Sequence, residues 1–217
     1  MTHYLRSFSW KAGAGLALAS TLAGLLLGCG EILPRPGPAP ELFVLSPKST
    51  FPPELPRIDA QLVIAEPTSG GALNTDRIVL KPSPRQIKYV AGVRWVTLAP
   101  KMIQTLLVES FENSGKIVAV GRQAVTLQSD YLLISELREF QAEFTEDQAL
   151  PEVVVALSVR IIRQPAARIV NAHTFRAVVT AGDGDMEAIV QAFDSALGKV
   201  LKQMVIWTLD AVATAEG

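Results

Sequence analysis

Cysteine occurs once in the 217-residue chain and histidine twice, and neither sign of charge prevails, with 20 Lys+Arg against 21 Asp+Glu. A lone cysteine excludes an internal disulfide framework, and one cysteine with two histidines cannot furnish the usual four Cys/His ligands of a zinc site. A net charge of −1 lacks the basic footprint of a phosphate-backbone binder, so nucleic acid is not an expected partner. Charged residues make up 19% and hydrophobic residues 49%, which is too apolar for intrinsic disorder. Glycine clusters are few: Ser69-Gly70-Gly71 and Gly182-Asp183-Gly184-Asp185. Neither fits G-x-x-x-x-G-K-[ST], G-x-G-x-x-G or G-x-S-x-G, so a phosphate cradle and a nucleophile elbow are unsupported, and both segments read as turns.

The remaining polar groups offer little more for catalysis. His173 sits in a strand-like run, Val170 to Phe175, and a Ser-His-Asp arrangement would depend on it alone. A surface or edge histidine is the plainer reading. Glu136, Glu139, Glu143, Glu146 and Asp147 read as a solvated face, and Asp183 and Asp185 as helix-capping groups without the further oxygen ligands of a calcium loop. No catalytic residue, cofactor or metal is expected, and the chain is not read as an enzyme.

What is present begins at the N-terminus. Residues 1–11 carry Arg6 and Lys11 and no acid, and Ala12–Leu27 contains only Ala, Gly, Leu, Ser and Thr before Gly28-Cys29. A basic n-region, an apolar stretch and a small residue at the cut describe a secretory signal peptide over 1–28. Leu26-Leu27-Gly28-Cys29 resembles a bacterial lipobox, which marks Cys29 as the lipidation site. The alternative is a transmembrane anchor, since the apolar run approaches the ~17 residues needed to span. Two or three acyl chains on one cysteine anchor a protein far more firmly than a single chain does. Gly30 follows the cysteine where an aspartate would signal inner-membrane retention, so the expected site is the outer membrane, lipid-anchored and facing the periplasm.

Residues 29–56 are read as a lipidated N-terminus and proline-rich spacer, because eight of the fourteen prolines fall between 34 and 56. Alternating prolines favour polyproline II at about 3.1 Å per residue, a semi-rigid reach of roughly 30 Å over residues 30–40 that holds the body off the bilayer. Within it Glu41–Leu45 reads as a short edge strand or as extended linker. The body is assigned to 57–217. Its pattern predicts strands at 58–65, 77–80 and 87–90, then a helix opened by Pro100 and stopped at Asn113-Ser114-Gly115. Further strands follow at 117–120, 131–140, 153–162 and 168–180, the acidic stretch 143–147 and Gln164-Pro165 falling between the last three. A final helix of about 25 residues carries Met186, Val190, Phe193, Leu197, Val200, Met204 and Trp207 in a wide apolar stripe that packs on the domain's own sheet rather than in a coiled coil. The order gives an α/β or α+β sandwich with helices covering a mixed sheet.

Several runs then carry a family likeness: Leu73-Asn74-Thr75-Asp76-Arg77-Ile78-Val79, Ile87-Lys88-Tyr89 and Arg94-Trp95-Val96-Thr97-Leu98, with Val153–Arg160 and the terminal helix around Ala188, Ala192 and Ala196. In this order, together with the lipobox, they resemble the ABC-type transport auxiliary lipoproteins, the PqiC-like group, over roughly 41–212. The sequence departs from the family pattern at Thr97, where an acidic residue is usual. The resemblance implies an α/β fold, a mixed sheet flanked by helices in a Rossmann-like layered sandwich, with no catalytic site. It also implies partnership with a periplasmic MCE-domain protein and its ABC transporter in lipid movement between two membranes, with ring-like homo-oligomers. Arg94, Trp95 and Trp207 are candidate partner-interface residues; the structural alternative is that the Trp95 indole fills the junction between the third strand and the first helix, and Trp207 divides in the same way. Competing functions are a small-ligand-binding lipoprotein, which needs an apolar cavity, a scaffold or activator of another envelope assembly, and a lipid-modifying hydrolase built on His173.

Overall fold

Alternation fixes the inward face of the first long strand: Ile58, Ala60, Leu62 and Ile64 are buried while Asp59 and Gln61 are exposed. The computed structural model describes residues 38–122, 129–144 and 149–216. The leader, Cys29 and most of the acidic stretch lie outside them, and every element below belongs to the unit Pro40–Gly217. The strands are β1 (Glu41–Phe43), β2 (Ile58–Ile64), β3 (Thr68–Ser69), β4 (Arg77–Ser83), β5 (Gln86–Trp95), β6 (Ile117–Arg122), β7 (Tyr131–Glu143), β8 (Glu152–Arg163) and β9 (Arg168–Thr180). The helices are α1 (Ala99–Ser114) and α2 (Met186–Glu216).

All nine strands join one mixed sheet. Strand β7 organises it. One edge of β7 pairs antiparallel with β8 along its length, and β8 pairs antiparallel with β9. The other edge meets β2, β3 and β4 in succession, all parallel. Strand β6 adds to β2, and β5 then β1 add beyond β4. Five strands precede α1: the three expected, the candidate at Glu41–Leu45 as β1, and β3, two residues held by distant β7 and too short to declare itself locally. Strand β4 continues through Pro82, which falls at an irregularity in the β4–β5 ladder where its missing N–H is not required.

Residues 40–56, read from the sequence as the end of the spacer, belong to the body. Leu45 is buried, Lys48 N donates to Ser110 Oγ at 2.9 Å, and Ser46 N donates to Asp194 Oδ1 at 2.6 Å. Strand β1 pairs with β5, which settles the reading of Glu41–Phe43 in favour of strand.

Helix α1 starts with Pro100 in its first turn, where a missing N–H costs nothing, and ends at Gly115 with φ 61°, a left-handed conformation that glycine adopts without strain. Helix α2 runs 31 residues, and Asp185, not Asp183, caps it by accepting from Ala188 N at 2.7 Å. It packs along β8 and β9, α1 packs on β2 and β6, and the two helices touch each other. This differs from a Rossmann layering, in which a largely parallel sheet has helices on both faces. Here the longest strands form an antiparallel meander, and a single core lies between the sheet and both helices. Strand β8 is buried on both faces only over its first half: Val153, Val155, Leu157, Val159 and Ile161 enter that core, while Val154 and Ala156 are buried on the reverse, where Ser158 is half-buried and Arg160 exposed.

Candidate functional site

Alternation along β5 sends Arg94 outward and Trp95 inward. Trp95 is only 1% exposed, with ring centroids 5.6 Å from Phe140 and 5.2 Å from Phe193, themselves 4.9 Å apart. An indole at this depth cannot meet a partner, so the expectation of Trp95 as an interface residue is corrected to its structural alternative. Among the described residues its Nε1 has no hydrogen-bond partner. Arg94 stays at the surface, its Nη1 bonded to Asp76 Oδ2 at 2.9 Å, and Asp76 O also accepts from Trp95 N at 2.7 Å. Asp76 therefore clips the end of β5 through both backbone and side chain.

Trp207 is half-buried on α2. Its ring lies edge-on to Phe175 at 5.5 Å and 6.1 Å from His173, while His173 and Phe175 stand 4.6 Å apart. Phe175 and His173 lie two residues apart on β9 and so on one face of it, and the cluster sits where α2 crosses the last strand. The sequence carried no signal for this grouping, because the helix residue is more than thirty positions from the strand residues. Among the described residues β9 pairs only with β8, so thirteen residues of backbone leave one edge open. An edge of that length is a template for another strand.

A second feature lies where the sheet forks. Ser69 is opposite Leu137 and Leu80 is opposite Ala142, so residues 138–141 of β7 face no strand on that side. A cleft of about 530 Å³ opens there, with Leu73, Val79 and Ile87 as apolar lining and Lys81, Arg138 and Gln141 as polar lining. Gln141 is 6% exposed and satisfied locally: Oε1 accepts from Phe140 N at 2.7 Å and Nε2 donates to Glu143 Oε1 at 2.9 Å. Lys81 Nζ reaches the same Glu143 oxygen at 2.9 Å. Partial burial alone would raise the Glu143 pKa, but these two hydrogen bonds and the charges of Lys81 and Arg176 outweigh it and hold the carboxyl below its ordinary value. Of the expected solvated face, Glu136 is exposed and pairs with Arg138, Glu139 and Glu143 are partly covered and pair with Arg176 and Lys81, and Glu146 and Asp147 lie outside the described residues.

Among the described residues no group of three or more His, Cys, Asp or Glu side chains is placed to hold a metal, and no helix is long and apolar enough to cross a membrane. His173 is exposed and packs beside the rings of Phe175 and Trp207.

The features together define a helix-backed mixed-sheet domain whose distinctive groups are an open edge, a surface aromatic cluster and a shallow cleft. Residues 43–205 match the family described as ABC-type transport auxiliary lipoprotein component, and the chain belongs to that family. It is similar to the uncharacterised protein bll6063 of Bradyrhizobium diazoefficiens, 28% identical over 192 residues, which covers 88% of this chain and 51% of the relative. The chain thus spans about half the length of that curated relative. The crystal structure of protein XCC0632 from Xanthomonas campestris superposes with a TM-score of 0.75 at 28% identity, covering 81% of this chain and 98% of that one. A second crystal structure, of an uncharacterised protein, shares the fold with a TM-score of 0.56 at 14% identity, covering 82% and 99% of the two chains.

Proposed function

We propose that the protein is an anchored, non-catalytic docking component of an MCE/ABC-type intermembrane lipid transport system. Acyl chains on Cys29 hold it at the outer membrane facing the periplasm, and its body assembles with a periplasmic MCE-domain protein and its ABC transporter, and with further copies of itself. The observation that carries this reading is the open β9 edge beside the His173, Phe175 and Trp207 rings. A free edge offers main-chain hydrogen bonds, and a half-buried indole next to it is the residue type most enriched among binding hot spots. Membership of a transport auxiliary family supports the same reading.

The test is extraction of the native protein in mild detergent, with identification of what co-purifies. Trp207→Ala should fold normally yet lose the partners or the oligomer. A folded variant with unchanged assembly removes the edge as the docking site, and a mature protein with an intact leader or an unmodified Cys29 sulfur removes the anchor.

The cleft at the sheet fork favours a second reading, a ligand-binding lipoprotein, since its volume falls within the ~300–1,000 Å³ of small-molecule sites. Native mass spectrometry of protein extracted from its own membrane separates the two: a small molecule retained in wild type and lost with Val79→Trp, which fills the cleft, supports carriage.

A further inference from the structure

We propose that the aliphatic corner formed by Leu42, Val44, Val96 and Leu98 is a bilayer-contact surface that seats in the lipid interface, an inference that rests on the anchored reading above. These side chains are 58%, 65%, 50% and 41% exposed. The parallel pairing of β1 with β5 brings the first three together: Leu42 is opposite Arg94, Phe43 is opposite Trp95, and Val96 N continues the ladder by donating to Phe43 O at 3.1 Å, while Leu98 follows Val96 by two residues at the start of α1. Leu42 and Val44 therefore share the outward face of the edge strand, with Val96 beside Val44. Phe43 and Trp95 supply the inward side chains, so the core does not require the outward ones.

Leu98 makes the same point independently. It occupies the N-cap of α1, where Ser, Thr, Asp or Asn would satisfy a free N–H, and it provides no side-chain cap. The position thus gives up a side-chain cap for an apolar residue that stays 41% exposed.

Tether length selects the occupant. Leu42 follows Cys29 by thirteen residues, which at ~3.3 Å per residue keeps it within about 43 Å of the anchored sulfur. The tether bounds that distance without fixing a height, so, against the stand-off expected of the proline-rich run, a tether lying along the membrane leaves the corner free to reach lipid. Four half-exposed aliphatic side chains fall well short of the ~800 Å² per partner that a stable protein interface buries, but they suit insertion of ~5–10 Å at the headgroup boundary. The nearby charges are of both signs, with Glu41 and Asp76 against Arg94 and Lys101, so apolar burial rather than attraction to anionic lipid carries the contact. Strands β1 and β9 are opposite ends of the path β1-β5-β4-β7-β8-β9, so seating the first in lipid turns the open docking edge away from the membrane.

The experiment uses the full acylated protein with V44C carrying an environment-sensitive dye, since acylated Cys29 does not react. It is reconstituted into phosphatidylethanolamine and phosphatidylglycerol vesicles with or without brominated acyl chains. Emission at position 44 should be quenched at least roughly twofold by the brominated lipid and at high salt as at low, while a dye on I169C of β9 is unaffected. Adding L42D and V96D to V44C, with near-ultraviolet circular dichroism unchanged, should abolish the quenching. Equal emission in both lipids from protein whose mass includes the acyl chains overturns the inference and leaves the anchor standing, with the body held away from the bilayer. Self-quenching between labelled copies also overturns it, in favour of a second copy of this chain. A mass without acyl chains overturns the anchored reading and this one with it.

Discussion

Glu139 of β7 and Arg176 of β9 bond at 2.8 Å across β8, directly over Ala156, which is opposite both of them in the two ladders. The small side chain lets the pair close over it and leaves Ala156 only 2% exposed. A larger residue has no room there. Ala156→Leu should destabilise by about 1–3 kcal/mol in urea unfolding, the usual cost of overpacking. Arg176→Ala should cost less than about 1 kcal/mol, because the arginine is half-exposed and screened by solvent. Equal losses for the two variants would show that the ion pair, not the volume over Ala156, sets the stability of this face.

Thr208 is fully buried on α2, and among the described residues its Oγ1 has no hydrogen-bond partner. Leaving a hydroxyl unsatisfied in an apolar core costs about 1–3 kcal/mol, so the near-isosteric Thr208→Val should stabilise by about 1 kcal/mol or more. A fall in the thermal midpoint of this variant would mean that the hydroxyl is satisfied after all.

The two tryptophans at issue should separate cleanly. Trp95→Ala removes the hub of the Phe140 and Phe193 cluster and should lose about 3–5 kcal/mol of stability. Trp207→Ala, half-buried, should lose distinctly less stability while changing the molecular mass of the detergent-extracted assembly. Denaturant unfolding and multi-angle light scattering on the same samples read both quantities.

Glu143 gives the body part of its acid sensitivity. Its carboxyl is held below the ordinary value, so the stabilisation is fully present above the unfolded-state value and is lost as pH falls through the lower folded-state value. Glu143→Gln retains the shape and cannot titrate. The fall in urea midpoint between neutral and acid pH should be smaller in the variant than in wild type, and an identical fall would remove Glu143 from the acid transition.

The elements most legible from the sequence were those whose signals are local. Pro100 and Gly115 bracket α1, the wide apolar stripe marks α2, and the apolar density of Val153–Ile162 marks β8. Strands β1 and β3 were hard to read for the opposite reason: three and two residues acquire their structure from β5 and β7, far away in sequence. The interface candidates divide along the same line. A tryptophan's size marks it as energetically important, but only the pleat decides that Trp95 points inward and Arg94 outward, and only the crossing of α2 over β9 joins Trp207 to His173 and Phe175.

Taken alone, the order of residues determined the class of the body, the bounds of α1, the apolar stripe of α2 and the lipobox-like run at Cys29, because periodicity, capping and targeting patterns are written in neighbouring positions. The family followed from short motifs in a fixed order. The tertiary structure alone decided where the surfaces lie: the open β9 edge, the fork that opens the cleft beside β7, and the aliphatic corner of β1 and β5. Each is made by residues that only strand pairing brings together, and pairing partners are chosen by burial across the whole chain rather than by any local run.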